Sequence, residues 1–185
     1  MSDYKKISLI GNCQTACYAK YLKELIPDAF FVKWLCPDLF FKNEWPYLDI
    51  WDMNKENHVT NQNEVESYLI NSDLIICNNI SEKKSKKHNI NKIRSTYSAK
   101  VISVTSANEN IEGMKQREST KDIDIKLSSV FEEDPEKAFF LKSWHPNTWG
   151  LLKCVEKICK EIDIDFFNEA DFAKHIKTGY PFELS

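Results

Sequence analysis

The sequence predicts an α/β fold in which one parallel β-sheet carries helices on both faces. Short, nearly continuous apolar runs alternate along the chain with segments in which apolar residues recur at helical spacing. Strands that are buried on both faces produce apolar runs of this kind, and parallel strands need crossovers that are usually helical. The alternation therefore indicates consecutive βαβ units.

The first βα unit lies close to the amino terminus. The apolar run 7–10 is closed by Gly11, which is typical of a buried strand that ends in a tight turn. From Thr15 onward the apolar residues recur at helical spacing until Pro27 stops the pattern. We therefore predict a first strand and a first helix, joined by a turn that extends from Gly11 to Gln14.

Three further apolar runs predict the remaining strands. The segment 30–35 is rich in aromatic residues, and Pro37 ends it by removing a backbone donor. The segment 74–77 is a continuous apolar run that ends at an asparagine pair, as a buried central strand would. The segment 101–104 is the fourth candidate. The predicted order is βαβαβαβ, and the predicted architecture is Rossmann-like or flavodoxin-like.

The segments between and after these strands are less uniform. Residues 63–70 and the basic segment 81–94 are predicted as helices, whereas the aromatic stretch 40–58 is interpreted as a loop with short helical pieces. Residues 105–135 are polar and weakly patterned, so a functional loop and disorder both stay open. The last strong helix of the sequence begins near Thr148, with Asn147 as its N-cap.

Residues 1–185 are expected to form a single α/β domain located in the cytoplasm. Charged residues make up 29% of the chain and apolar residues 42%, which is typical of a folded protein. The net charge of -3 gives no reason to expect nucleic acid or an anionic membrane as a partner. The first apolar run is too short for a signal sequence or a membrane span. The six cysteines lie mostly in apolar, helix-like or strand-like segments, so we expect reduced thiols, and because no Cys-x-x-Cys pair occurs we expect no metal site.

The turn from Gly11 to Gln14 is the predicted centre of the chemistry. In a parallel sheet the ligand crevice lies at the carboxyl ends of the strands, where this turn is expected. Cys13 would then begin the first helix, where unpaired N–H groups and the helix dipole favour a thiolate. The N–H groups of Cys13 and Gln14, with the amides of Asn12 or Gln14, would stabilise an oxyanion. The alternative is a small buried cysteine, which is how we interpret Cys17.

His145 is the predicted general base. It lies just before the last predicted helix, and Pro146 keeps the local backbone out of a helical conformation. A loop histidine in that place can reach the strand ends, although a histidine with a structural hydrogen bond is an equally open alternative. Three acidic residues upstream could orient the imidazole, and the spacing selects none of them: Glu132, Glu133 and Asp134.

Other polar residues are predicted to bind substrate at the same crevice. Asn78 and Asn79 end the third strand and could donate to an oxyanion, although asparagine pairs also form turns. Asn147, two residues after the histidine, is a further candidate. A concentrated basic patch could meet the phosphates of a nucleotide-containing cofactor, and a solvated helix face is its alternative interpretation. Its residues are Lys83, Lys84, Lys86 and Lys87.

Three motifs together resemble the WcbI-type polysaccharide biosynthesis family. They follow one another across most of the chain, and the first is the most specific: Gly11-Asn12-Cys13-Gln14, Cys77-Asn78-Asn79 and Trp144-His145-Pro146-Asn147. The resemblance implies a variant of the SGNH hydrolase fold, in which a nucleophile follows the first strand and a histidine precedes the last helix. It also implies acetyl transfer during capsular polysaccharide synthesis, with coenzyme A or acetyl-coenzyme A as the bound ligand.

The sequence departs from the SGNH pattern in two places. Lys142 stands where those proteins carry an acidic residue three positions before the histidine, and no glycine stands where a second oxyanion donor would be expected. Cys13 and His145 match the nucleophile and histidine positions of the pattern. A complete catalytic triad therefore does not follow from the sequence.

Three functions stay open at this point. The first is an O-acetyltransferase that uses acetyl-coenzyme A to modify a sugar or polysaccharide, either through an acyl-cysteine or by direct transfer with His145 activating the acceptor. The second is an esterase or thioesterase with the same two residues and water as acceptor. The third is a non-catalytic module that binds coenzyme A or a nucleotide sugar, as the missing acid at Lys142 suggests. The oligomeric state is not predicted.

Overall fold

The structure is a computed structural model that describes residues 3–35, 50–52, 57–59, 62–80, 89–107, 110–138, 140–141 and 145–179. Within the described residues, the six strands lie between positions 6 and 104 with three helices among them, and four helices follow. The elements in chain order are β1 (Lys6–Gly11), α1 (Cys13–Leu25), β2 (Phe30–Leu35), β3 (Ile50–Asp52), β4 (Asn57–Val59), α2 (Gln62–Ile70), β5 (Leu74–Asn78), α3 (Ile90–Thr96), β6 (Lys100–Val104), α4 (Ile111–Ser119), α5 (Leu127–Glu133), α6 (Thr148–Glu161) and α7 (Glu169–Thr178).

The strands form one mixed sheet in the order β4-β3-β2-β1-β5-β6. The four strands β2, β1, β5 and β6 are parallel, which confirms the predicted parallel sheet for the strands predicted from sequence. Strands β3 and β4 are antiparallel and extend the edge beside β2. The loop predicted for 40–58 is therefore wrong over these two strands, because three residues are too few to produce a recognisable alternation.

The two faces of the sheet belong to separate apolar clusters. Ile7 and Leu9 of β1 pack on one face with residues of α1, α5 and α6, whereas Ile10 packs on the opposite face with residues of α2 and α3. The adjacent strand β5 divides in the same way, because neighbouring side chains of a strand point to opposite faces. Helices therefore cover both faces of the parallel strands, as predicted.

The chain adds β2 on one side of β1 and later strands on the other side, so β1 marks the switch point of the parallel sheet. Its neighbour on one side is β2, which follows it in the chain, and its neighbour on the other side is β5. In open α/β sheets a crevice forms outside the carboxyl ends of the two strands that flank such a switch point. Gly11 ends β1 and Asn78 ends β5, so the predicted site residues of both strands lie at this point.

Two helices occupy the segment 105–135, so its interpretation as a loop or a disordered segment is wrong. The first of them, α4, buries only Met114 and Glu118, which explains its weak apolar pattern. The predicted helix with Asn147 as N-cap is confirmed as α6. A shorter helix, α7, follows it and buries only His175. None of the described helices is long and apolar enough to cross a membrane.

We expect Gly11→Ala to destabilise the fold at the switch point. An added Cβ would overlap the Asn78 Oδ1 atom and would lie 2.7 Å from Thr15 Cγ2. Overpacking of this kind typically lowers the free energy of unfolding by about 1–3 kcal/mol, which chemical denaturation can measure. Gly150→Ala is the control, since its nearest contact would be 3.3 Å away, and we expect a change of less than about 1 kcal/mol. Equal stability of the two variants would contradict the close approach at Gly11.

Candidate functional site

The turn between β1 and α1 presents Cys13 at the start of a helix. Asn12 is the N-cap, and its Oδ1 accepts a hydrogen bond of 2.9 Å from the Gln14 N–H. The N–H and the hydroxyl of Thr15 both donate to the Asn12 carbonyl. Cys13 is the first residue of α1 and is partly exposed. Its thiol therefore lies where the positive end of the helix dipole favours the thiolate.

His145 lies against this thiol. The Cys13 Sγ and the His145 Nε2 are 3.1 Å apart, although the two residues are separated by 132 positions in the chain. The loop that carries the histidine is held by an antiparallel bridge between Phe140 and Pro146 and by a 2.7 Å bond from the Leu141 N–H to the His145 carbonyl. The imidazole is thus placed where it can accept the thiol proton.

Asn78 connects the end of β5 to the same turn. Its Oδ1 accepts a 2.9 Å hydrogen bond from the Asn12 N–H, which fixes the orientation of the amide and leaves Nδ2 as a donor. The side chain is fully buried, and Nδ2 has no hydrogen-bond partner among the described residues. The same holds for the Oδ1 of Asn79, whose residue is 8% exposed. A buried polar atom without a partner costs about 1–3 kcal/mol, so a ligand that offers an acceptor to the Asn78 Nδ2 and a donor to the Asn79 Oδ1 would satisfy both residues.

Ser106 and Ala107, which follow β6, belong to the site, and the sequence analysis did not identify them. The Asn12 Nδ2 donates to the Ser106 Oγ at 2.6 Å. The Gln14 side chain forms a pair of 3.2 Å hydrogen bonds with the backbone of Ala107, one in each direction. The carboxyl ends of parallel strands meet at one edge of the sheet, so the polar residues that follow the run 101–104 could have been predicted to lie at the site.

These contacts change the role predicted for Gln14. Its N–H is used by the Asn12 cap, and both ends of its buried side-chain amide are bound by Ala107. Gln14 therefore holds the turn in place, and the N–H and amide that were predicted to stabilise an oxyanion are engaged in these hydrogen bonds. Asn78 offers the buried amide donor instead.

Asn147 also has a structural part in the site. Its Oδ1 caps α6 by accepting from the Gly150 N–H at 3.1 Å, and its Nδ2 donates to the Lys137 carbonyl at 2.7 Å. Both bonds restrain the chain two residues after the histidine. The structure thus uses this side chain to hold the loop of His145, and the substrate-binding role predicted for it has no support in these contacts.

The three carboxylates considered as partners of the imidazole each form an ion pair with a lysine. Glu133 lies 2.6 Å from Lys157, and Asp134 lies 2.9 Å from Lys137, which lowers the pKa of the Asp134 carboxyl. Glu132 pairs with Lys115. These pairs assign the three carboxylates to surface contacts, so the third member of a triad stays unassigned.

Several predicted residues lie outside the described part of the chain. They are the basic patch Lys83, Lys84, Lys86 and Lys87, and also Lys142.

No protein-family model matches this sequence, and no curated protein matches it significantly. Within the residues that the structure describes, no group of three or more histidine, cysteine, aspartate or glutamate side chains could hold a metal ion.

The other described thiols differ from Cys13 in their burial. Cys77, Cys154 and Cys159 are completely buried, and burial raises the pKa of each thiol to about 12. A thiol with that pKa is ionised in only about one molecule in 10,000 at pH 8. Because the thiolate is the nucleophile, these three cysteines are unreactive near neutral pH.

We expect Cys13 to be alkylated first when the folded protein is treated with iodoacetamide at pH 7.5. Its rate should exceed those of Cys77, Cys154 and Cys159 by at least about 100-fold, because it combines exposure, a helix N-terminus and a neighbouring histidine. Peptide mass spectrometry of a time course measures the four rates, and labelling in guanidinium gives the reference in which burial is lost. Faster labelling of any of the three buried thiols would rule out Cys13 as the activated cysteine.

Proposed function

We propose that this protein is an acyltransferase that moves an acyl group from a thioester, through Cys13, to the hydroxyl of a sugar. The observation that carries the proposal is the 3.1 Å contact between the Cys13 Sγ and the His145 Nε2. A thiol at a helix N-terminus with an imidazole in hydrogen-bonding distance is the arrangement by which proteins activate a cysteine nucleophile.

The position of this pair in the fold supports the proposal. The parallel strands follow the order β2-β1-β5-β6, which corresponds to the first four strands of a flavodoxin-like sheet. We interpret the domain as a Rossmann-like or flavodoxin-like fold with an SGNH-like placement of the nucleophile after β1 and the histidine before α6. Ligands bind at the switch point of such sheets, and both residues lie there.

The chemistry needs two proton transfers through the same imidazole. In the first half-reaction the Cys13 thiol passes its proton to His145 Nε2, and its sulfur forms a bond to the thioester carbonyl carbon. The bond from that carbon to the donor sulfur breaks, and the departing thiol takes the proton. In the second half-reaction the acceptor hydroxyl passes its proton to Nε2 and attacks the acyl-cysteine, and Cys13 leaves and recovers that proton.

Asn78 suits the negative charge that develops on the carbonyl oxygen in both steps. Its Nδ2 is a buried donor without a partner among the described residues, and its Oδ1 is fixed by the Asn12 N–H. A preorganised donor of this kind stabilises an oxyanion most strongly where water is excluded. The Asn78 Nδ2 thus fits a carbonyl oxygen better than an apolar ligand, whereas the Asn79 Oδ1 can only accept and would need a donor such as a hydroxyl group.

The donor and the acceptor follow from the resemblance to the WcbI-type family. We propose acetyl-coenzyme A as the donor and a hydroxyl group of a capsular or related polysaccharide, or of its sugar precursor, as the acceptor. Lys83, Lys84, Lys86 and Lys87 begin three residues after Ile80, just beyond the end of β5, and we propose that they contact the phosphates of coenzyme A.

We expect radiolabelled acetyl-coenzyme A to leave an acid-stable acetyl group on Cys13 when no acceptor is present. Denaturation in acid followed by peptide mapping locates the label, and Cys13→Ala should abolish it. Cys17→Ala is the matched control, since that thiol is buried one helical turn away. Release of the label by a sugar acceptor distinguishes transfer from hydrolysis, in which water alone removes it at the same rate. Tight coenzyme A binding without any label would favour direct transfer if a sugar acceptor is acetylated, and the binding module if no acceptor is.

We expect His145→Ala to lower the turnover of acetyl transfer by about 100-fold to 10,000-fold, which is the usual effect of losing a general base. Donor affinity, measured by titration calorimetry, should change little because the imidazole acts mainly in the transition state. His175→Ala is the control: this histidine lies 3.1 Å from Glu24 on α1 and should leave turnover unchanged. Full activity in a folded His145→Ala protein would remove the histidine from the reaction.

A further inference from the structure

Helix α4 is attached to the segment that follows β6 by two adjacent charged residues. The Arg117 guanidinium donates a 2.9 Å hydrogen bond to the Ser106 carbonyl. Glu118 is 4% exposed, and its carboxylate accepts hydrogen bonds from the hydroxyls of Thr105 and Ser128. The Ser128 N–H also donates to it at 3.2 Å. A buried carboxylate is retained only where hydrogen bonds satisfy it, so these contacts hold α4 rigidly against the end of β6.

The same segment contacts both neighbours of Cys13. Ser106 Oγ accepts the 2.6 Å bond from Asn12 Nδ2, and the backbone of Ala107 binds the Gln14 amide in both directions. Asn12 in turn caps α1 through its Oδ1. A continuous chain of hydrogen bonds therefore leads from Arg117 through Ser106 and Asn12 to the first turn of α1.

We propose that Arg117 is a positioning residue for Cys13. By holding the Ser106 carbonyl, it fixes the segment that orients the Asn12 cap, and the cap sets where the Cys13 thiol lies relative to His145. The inference rests on the proposed function only in taking Cys13 as the nucleophile. It concerns the geometry of the thiol and not the donor or the acceptor.

Positioning matters because the reaction tolerates only a small displacement of the Cys13 thiol from the His145 imidazole. Hydrogen-bonded supports of a reactive residue keep its geometry within about 0.5 Å of the productive one. A thiol displaced from the histidine by about 1 Å would lose its proton acceptor, and misplacement of that size can reduce a rate by about 100-fold. Removing the Arg117 bond loosens the cap without touching Cys13 or His145.

The test is the pH dependence of Cys13 alkylation by iodoacetamide in variants of the full chain. We expect Arg117→Ala to lower the rate at pH 7 by roughly 10-fold, because the support of the thiol is lost. At pH 10, which is above the ordinary pKa of a cysteine side chain, a thiolate does not need a neighbouring proton acceptor, and the rates of the variant and the unmodified protein should converge. Arg117→Lys keeps a donor for the Ser106 carbonyl and should restore most of the rate at pH 7.

Two further variants separate positioning from other effects. Ser106→Ala removes the next bond in the chain without altering charge, and it should lower the rate at pH 7 in the same way. Arg94→Ala is the matched structural control, since this arginine binds Asp122, Asp124 and Ser103 away from the turn. It should lower the melting temperature and leave the pH profile of Cys13 unchanged.

Several results would overturn the positioning role. They are an unchanged profile in Arg117→Ala, an equal loss in Arg94→Ala, or a loss in Arg117→Ala that Ser106→Ala does not share. The last result would assign the effect to the positive charge. If Arg117→Ala does not fold, the Ser106→Ala profile decides the proposal alone. Because labelling needs no thioester, a protein that shows the expected profiles but transfers no acyl group would refute the proposed function and leave this inference standing.

Discussion

The hydrogen bond from the Asn12 N–H to Asn78 Oδ1 joins the ends of the two central strands, and the candidate site depends on it. The strands β1 and β5 pair directly, so their carboxyl ends emerge side by side. A Cβ at Gly11 would overlap the Asn78 amide, so a glycine is needed there for the bond to form. With the turn held in this way, Asn12 caps α1 and Cys13 begins the helix.

Polar side chains, not apolar ones, hold the site together. Asn12, Gln14 and Ser106 form a network with the backbone of Ala107, and Asn147 restrains the loop that carries His145. Buried polar groups tolerate little displacement, because each broken bond leaves a group without a partner in a medium of low dielectric constant. Such networks define one geometry more sharply than apolar packing does, which suits a site that must hold a thiol near an imidazole.

The surface carboxylates and the buried carboxylate have different functions in this fold. Glu133 and Asp134 pair with lysines at the surface, where ion pairs contribute little to stability. Glu118 is buried and is satisfied by hydroxyl and N–H donors, so it joins α4 to α5 and to the end of β6. The buried carboxylate of Glu118 therefore stabilises the fold, and it lies outside the run from Glu132 to Asp134.

The sequence by itself determined the elements whose patterns are local. The apolar runs of β1, β2, β5 and β6 and the amphipathic pattern of α6 predicted these elements, because strand and helix periodicity depend on neighbouring residues. The short strands β3 and β4 and the helices α4, α5 and α7 were not predicted, since they contain few residues or bury few apolar side chains. Gly11, Cys13 and the asparagine pair could be placed at strand ends for the same local reason.

Only the tertiary structure decided which of these residues meet. Cys13 and His145 are 132 positions apart, and Asn12 and Ser106 are 94 apart, so no periodicity connects them. The contacts follow from the strand order, which brings β1 between β2 and β5, and from the packing of α6 against α1. Strand order depends on the burial of both faces of the sheet and on the geometry of the crossovers, and the spacing of residues within one motif predicts neither. For that reason the sequence indicated a nucleophile and a base separately, and the fold brought them within 3.1 Å.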